Sequence, residues 1–307
     1  MIQVSKLSSQ AKLRVERARA SSTKFDILIR TFKRYSEDDG GFYAASLTYY
    51  TFFAIFPLLL FSAAALGYVT FLNADLREDI LDAGFRAFPL LDSVIESDSL
   101  TKIEEARGRL LLLGAVLALY SGSGGIVALE HGLNHVAHVT EEPGFVPKRL
   151  RSLKWLLILG GTAVISVALG SAASYTGALL GSSGVAEWFV GLLGHLIGVA
   201  TGVVLFATAF KYLTASEQSW RQVLPGALIA GVAFELLKIA GKWYLERGAA
   251  GREATFGAFA AAAGLLVVAY LLSQITLLSA ELNAVLCERR VTRTLATETD
   301  IEGAEGG

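Results

Sequence analysis

The chain has 307 residues, 53% of them hydrophobic and 18% charged, with a formal net charge of −1. A soluble domain carries about 25% charged residues. With a mean hydropathy of +0.50, this composition excludes an ordinary water-soluble globule. It points to an all-α polytopic membrane protein.

Residues 1–39 are expected to form a cytoplasmic basic arm. From Lys24 to Tyr35, Phe25, Leu28, Ile29 and Phe32 recur at helical spacing, with Lys24, Arg30, Lys33 and Arg34 between them. This predicts a short amphipathic helix. Such a helix suits the anionic leaflet of a membrane or a solvated position packed against the protein. Residues 40–287 form the expected membrane domain. No charged side chain stands between Asp39 and Asp75, Arg109 and Glu130, Lys154 and Glu187, Glu187 and Lys211, or Glu253 and Glu281. A helical span needs about 20 apolar residues, so these windows read as five spans, and the stretch opening at Pro225 as a sixth. Continuous apolar runs of this length exclude barrel strands, which alternate over about 10 residues.

Within the first span, Pro57 removes an internal hydrogen bond and predicts a kink. The external loop 72–108 holds nine acidic and four basic residues. Leu76, Ile80 and Leu81 there suggest a second amphipathic helix, and Pro89 the end of the next stretch. The second span carries Tyr120-Ser-Gly-Ser-Gly-Gly125. Gly122, Gly124 and Gly125 either admit a neighbouring helix or loosen their own, as in transporters. The tail 288–307 reads as disordered.

Charge asymmetry predicts orientation. Eighteen Lys and Arg fall on the side of the N-terminal arm, the connection at Lys148–Lys154, the connection holding Lys211 and Arg221, and the tail; seven fall opposite. The positive-inside rule then places both termini in the cytoplasm, as six spans require. Cys287 is the single cysteine, so no intrachain disulfide forms, and no cleavable signal peptide is recognised.

Charged residues inside spans are the informative ones. Glu235 is about 15 Å from the entry of its span at Pro225, near the centre of a 30 Å core, Lys238 about 20 Å and Lys242 about 26 Å. Gly231, Glu235, Lys238 and Lys242 share one helix face. They form either a buried ion pair that cements the bundle or a polar lining for a charged or amphipathic cargo. Glu130 and Glu281 lie at the cytoplasmic rim, with Asn134 and Asn283.

Enzyme chemistry finds little support. His131, His135 and His138 have a spacing compatible with one metal, but no second cluster completes a site. His195 belongs to another span. No phosphate-binding loop, dinucleotide turn or nucleophile elbow appears. No catalytic residue, metal, cofactor or nucleic-acid partner is expected.

The segments "AASLTYYTFFAIFPLLL", "LPGALIAGVAFELLKIAGKWYL" and "LSAELNAVL" resemble the YihY/BrkB family of bacterial inner-membrane proteins over about residues 30–287. The carrying motifs are Tyr49-Tyr50 with Pro57, Glu235-x-x-Lys238 with Trp243-Tyr244, and Glu281-Leu282-Asn283. Gly124 and Gly125 depart from the bulkier residues expected there. The resemblance implies six membrane helices in the inner membrane and an activity centred on transport, including of lipid-like cargo. An older ribonuclease label for such proteins fits this sequence poorly. Glu235, Lys238, Lys242, Tyr49 and Tyr50 are then expected to line a substrate cavity, in contact with membrane lipids. The alternatives are a small-solute or ion transporter or channel, and a non-transporting scaffold of an envelope complex.

Overall fold

The computed structural model describes the backbone of residues 22–72, 97–139, 144, 146–162 and 184–305, and side chains within 22–58, 112–139, 146–162, 191–241 and 262–292. Every regular element among these residues is α-helical: α1 (Thr23–Glu37), α2 (Gly40–Leu72), α3 (Ser97–Val136), α4 (146–162), α5 (Gly184–Leu213) and α6 (Trp220–Glu305). The windows Leu112–Val136, Gly191–Leu213, Trp220–Gly241 and Ala262–Thr292 are long and apolar enough to cross a membrane. Expectations for residues 1–21, for most of the loop 72–108 and for 163–183 lie outside the described residues.

A straight α6 would be about 130 Å long. Instead Asn283 donates to the Val223 carbonyl at 3.1 Å and accepts from the Gly226 amide at 2.7 Å. The two arms of α6, 220–241 and 262–292, therefore run antiparallel and side by side. Helix continues to Glu305, through the stretch expected to be a disordered tail; Arg, Leu, Ala and Glu there are good helix formers.

α1 begins at Ser22, whose Oγ accepts from the Phe25 amide at 3.4 Å, the usual use of an N-cap serine. Its i,i+4 pairs Asp26–Arg30 and Lys33–Glu37, at 3.0 and 3.3 Å, add modest support. Asp39, at φ 49°, turns the chain into α2. α3 ends on His138 in the same left-handed region, and the Val139 amide returns to the Asn134 carbonyl at 2.9 Å. A Schellman closure is thus made without glycine.

The buried core gathers Leu133, Trp155, Phe206, Phe210, Val223 and Ala227, from α3, α4, α5 and the first arm of α6. α2 packs on α3, where Gly124 receives the Tyr50 ring, and on the second arm of α6, where Thr48 meets Ser273 at 3.3 Å. α5 lies against the first arm of α6. A side chain at Gly202 would meet the Gly231 Cα at 3.3 Å, so these backbones approach as closely as small residues permit.

Candidate functional site

Two polar constellations stand out. The first collects at one end of the bundle, where α1, the end of α3, the start of α4, the 214–219 connection and residues 288–290 converge. Arg34 is its hub. Its guanidinium reaches Glu281 at 3.1 Å and Asp38 at 3.4 Å, pairs with Glu288, and donates to the Val136 carbonyl at 3.1 Å. Burial works against that charge, but the bond and attraction to Glu288, with Glu281 and Asp38 behind it, hold the pKa above the ordinary guanidinium value. Glu281 itself has no exposed surface, so a cation beside it is what makes burial tolerable. Beside Arg34, Tyr35 donates to Gln274. Burial pushes its hydroxyl up to about 12.

Asn283 supplies the other fastening at this end. Pro225 has no N–H, so the Arg221 carbonyl one turn back loses its helical donor; Arg290 donates to it instead at 3.2 Å. Next to it, Gly226 lets the arms touch: a Cβ there would fall inside the contact distance of the Ser279 carbonyl and 2.6 Å from Asn283 Nδ2. On the α3 side, Asn134 accepts from the Ala215 amide at 2.8 Å, and buried Glu130 lies 3.6 Å from Arg151. A cavity of about 490 Å³ opens here, with Arg34, Gln218, Gln222, Asn283 and Glu288 in its wall and Phe210 among its apolar lining.

The second constellation lies deep between α5 and the first arm of α6. The carboxylate of Glu235, 8% exposed, is bridged from two helices. His195 Nδ1 stands 2.8 Å from Oε1, and Lys238 Nζ 2.5 Å from Oε2. Gly198 makes the room, since a Cβ there would lie 2.5 Å from Oε2. Helix rise places Glu235 about 22 Å from Trp220, the first residue of α6, and His195 about 27 Å from Leu213, the last of α5. The side chains of His195 and Lys238 are 56% and 47% exposed, and the ammonium also sits 5.3 Å from the Phe234 ring centre. The buried charge is the anion; the exposed groups are hydrogen-bond donors.

The family model of virulence factor BrkB matches residues 31–301. The chain belongs to this family. Relatives include YfkH of Bacillus subtilis (strain 168), whose name describes it as ribonuclease-like, 27% identical over 84% of this chain and 94% of its own. The inner membrane protein YhjD of Escherichia coli (strain K12) is 24% identical over 82% and 78%. A UPF0761 membrane protein of Chromohalobacter salexigens is 28% identical over 86% and 65%. No solved structure matches. Family membership and the apolar helices make this a helical membrane protein.

Within this BrkB-family chain, the motifs read from sequence fall into separate places. Glu235 and Lys238 meet directly; the Lys242 side chain lies outside the described residues. Tyr49 and Tyr50 pack on each other with centroids 5.6 Å apart, Tyr49 on Phe53, and Tyr50 against Gly124. Tyr50 lies in the α2–α3 seam and Tyr49 on the exposed side of α2, both apart from the α5–α6 seam that holds Glu235. α2 continues as helix through Pro57. α3 continues through Gly122, Gly124 and Gly125; side chains at the first two would press on Leu156 and Tyr50, both at 3.0 Å, while Gly125 faces no neighbour within 4 Å. Glu130, Asn134, Glu281 and Asn283 do gather at one end. The three neighbouring histidines diverge: His131 meets Lys148 at 2.7 Å, His135 stacks on Tyr43, and His138 approaches Asp38 at 3.8 Å. Among the described residues no group of three His, Cys, Asp or Glu is placed to hold a metal. Sequence reasoning missed His195. A signal was present, because Gly198 and Gly202 stand one turn apart and both face the first arm of α6 beside it.

Proposed function

We propose that this protein is a six-span inner-membrane protein, with both termini cytoplasmic, that moves or shields an amphipathic, lipid-like substrate along the α5–α6 seam. The observation that carries this reading is the half-open charge cluster between two helices long and apolar enough to cross a membrane. A buried ion pair is a weak cement, because the cost of desolvating both charges offsets their attraction. Here Glu235 is buried, while His195 and Lys238 keep about half their surface open. Intramembrane ionisable groups that are not sealed belong to pathways.

α1 supports the membrane setting. Its polar face turns inward: Asp26 and Thr31 are buried, and Asp26 pairs with Arg289 at 3.1 Å. Phe25, Leu28 and Phe32 point away from the protein, flanked by exposed Lys24 and Lys33. An apolar outer stripe bordered by cations suits the cytoplasmic leaflet, where basic residues meet anionic headgroups.

The test is reconstitution in proteoliposomes with a labelled phospholipid and, in parallel, small solutes. Wild type is expected to accelerate movement of the lipid. Glu235→Gln and Lys238→Met, singly and together, should abolish it while protein level and melting hold. Solute uptake without lipid movement would assign a small-solute carrier. Unfolded single variants rescued by the double would assign a structural pair.

A further inference from the structure

We infer that His195 and Lys238 form a binding site for an anionic, phosphate-bearing headgroup, and that the headgroup binds together with a proton taken up on His195 Nε2. The inference rests on the transport reading above and names its cargo chemistry.

The argument starts from the hydrogen-bond inventory. With Lys238 2.5 Å from one oxygen, Glu235 is a carboxylate, and a carboxylate only accepts. The 2.8 Å contact between its other oxygen and His195 Nδ1 therefore places the ring hydrogen on Nδ1. In the neutral ring, Nε2 is then a lone pair. It repels an anion until it gains a proton, after which it becomes a donor. The other open group, the Lys238 ammonium, carries hydrogens beyond the one directed at Glu235.

Counting charge leads to the same point. Glu235 and Lys238 cancel, so with His195 neutral the cluster carries no net charge at membrane depth. An incoming monoanion would leave it at −1, and one proton restores neutrality, which a low-dielectric setting strongly favours. Among the described residues, the charged groups that face His195 are Glu235 and Lys238 from the first arm of α6. From α3, also packed on α5, the titratable Glu130, His131 and His135 are held at the other end by Arg151, Lys148 and Tyr43. Lys242, one turn beyond Lys238, has no described side chain. Linkage is reciprocal: an anion that draws in a proton must bind more tightly as pH falls.

The experiment uses the full chain in phosphatidylcholine nanodiscs. Three probes are titrated by calorimetry in buffers of different ionisation enthalpy, which reports protons exchanged: short-chain phosphatidylglycerol, phosphatidylcholine of the same chain length, and inorganic phosphate. Phosphatidylglycerol is expected to bind with net proton uptake and with a Kd that rises as pH rises. In His195→Gln, whose amide still donates to Glu235, binding should weaken and the proton uptake vanish. Phosphatidylglycerol bound without proton uptake, or with the same uptake in His195→Gln, overturns the inference and leaves the transport reading standing. Proton-linked binding of inorganic phosphate but not of phosphatidylglycerol upholds the proton-linked anion site and removes the lipid cargo. Equal binding of both phospholipids with no proton exchanged overturns the anion site. If His195→Gln fails to fold, wild type carrying 15N-labelled histidine is titrated instead: phosphatidylglycerol should convert the His195 ring to its doubly protonated form, and a ring left unchanged while the lipid binds would count against His195 as the acceptor.

Discussion

Truncating Asn283 to alanine should loosen the packing between the two arms of α6 by an amount that its bonds bound. The side chain accepts from the Gly226 amide at 2.7 Å and donates to the Val223 carbonyl at 3.1 Å, in a buried setting. Leaving a buried polar group unpaired costs about 1–3 kcal/mol, so two orphans set an upper range near 6 kcal/mol. Both backbone groups can recover partners one helical turn away, which returns part of that cost. The expected loss is about 2–3 kcal/mol, read from reversible unfolding in mixed micelles. Gly226→Ala attacks the same contact from the other side, because its Cβ meets a backbone carbonyl that cannot rotate away. Once the arms have separated, Asn283 has already lost its bonds, so the double variant should cost less than the two singles added. Coupling of about 0.5–3 kcal/mol is normal for touching residues. A loss under about 0.5 kcal/mol for Asn283→Ala, or strict additivity in the double, would refute the clamp.

Removing the guanidinium in Arg34→Gln leaves the fully buried Glu281 without its cation and should lower the unfolding midpoint, with substantial recovery in Arg34→Gln/Glu281→Gln; a double no more stable than the single would count against the pair. Tyr35 bears on alkaline stability. Its folded pKa of about 12 exceeds the unfolded value near 10, so its contribution is complete below pH 10 and declines as pH rises toward 12. Unfolding midpoints followed across that window should fall in wild type and flatten in Tyr35→Phe; parallel curves would rule the hydroxyl out.

Much of this architecture was legible because a bilayer leaves a chain few options. Charge-free windows mark α3, α5 and the second arm of α6, the apolar stretch opening at Pro225 marks the first arm, and the charges between Lys242 and Arg252 mark where α6 stops being one span. The positions of Glu281 and Asn283 at a span end were readable too. Their partners were not, since Gly226 and Arg34 are far away in sequence and only folding brings them close. The facing of α1 was also hidden. Periodicity separates its two stripes but does not say which one packs inward. That choice is made by Glu281 and Glu288, which need Arg34, and by Arg289, which takes Asp26. His195 illustrates a third limit: a lone histidine on an apolar helix carries no signal until its glycine neighbours are read as a contact face that brings another helix to it.

The contrast between the two polar constellations argues for where activity resides. At the basic end, Asn283, Asn134 and Arg34 bind backbone or opposite charge and fix geometry, which is how a structure secures its own joints. At the seam, the exposed donors of His195 and Lys238 have surface to spare. α1 applies the same logic to the surroundings. Turning three large apolar side chains outward would forgo about 1.5–3 kcal/mol for each one that water met instead of an apolar phase. A fold that spends Arg34, Asp26 and Tyr35 on holding α1 in that pose presents an outer stripe suited to an apolar phase. Under the function proposed above, the open donors of His195 and Lys238 are the groups that a substrate headgroup would meet.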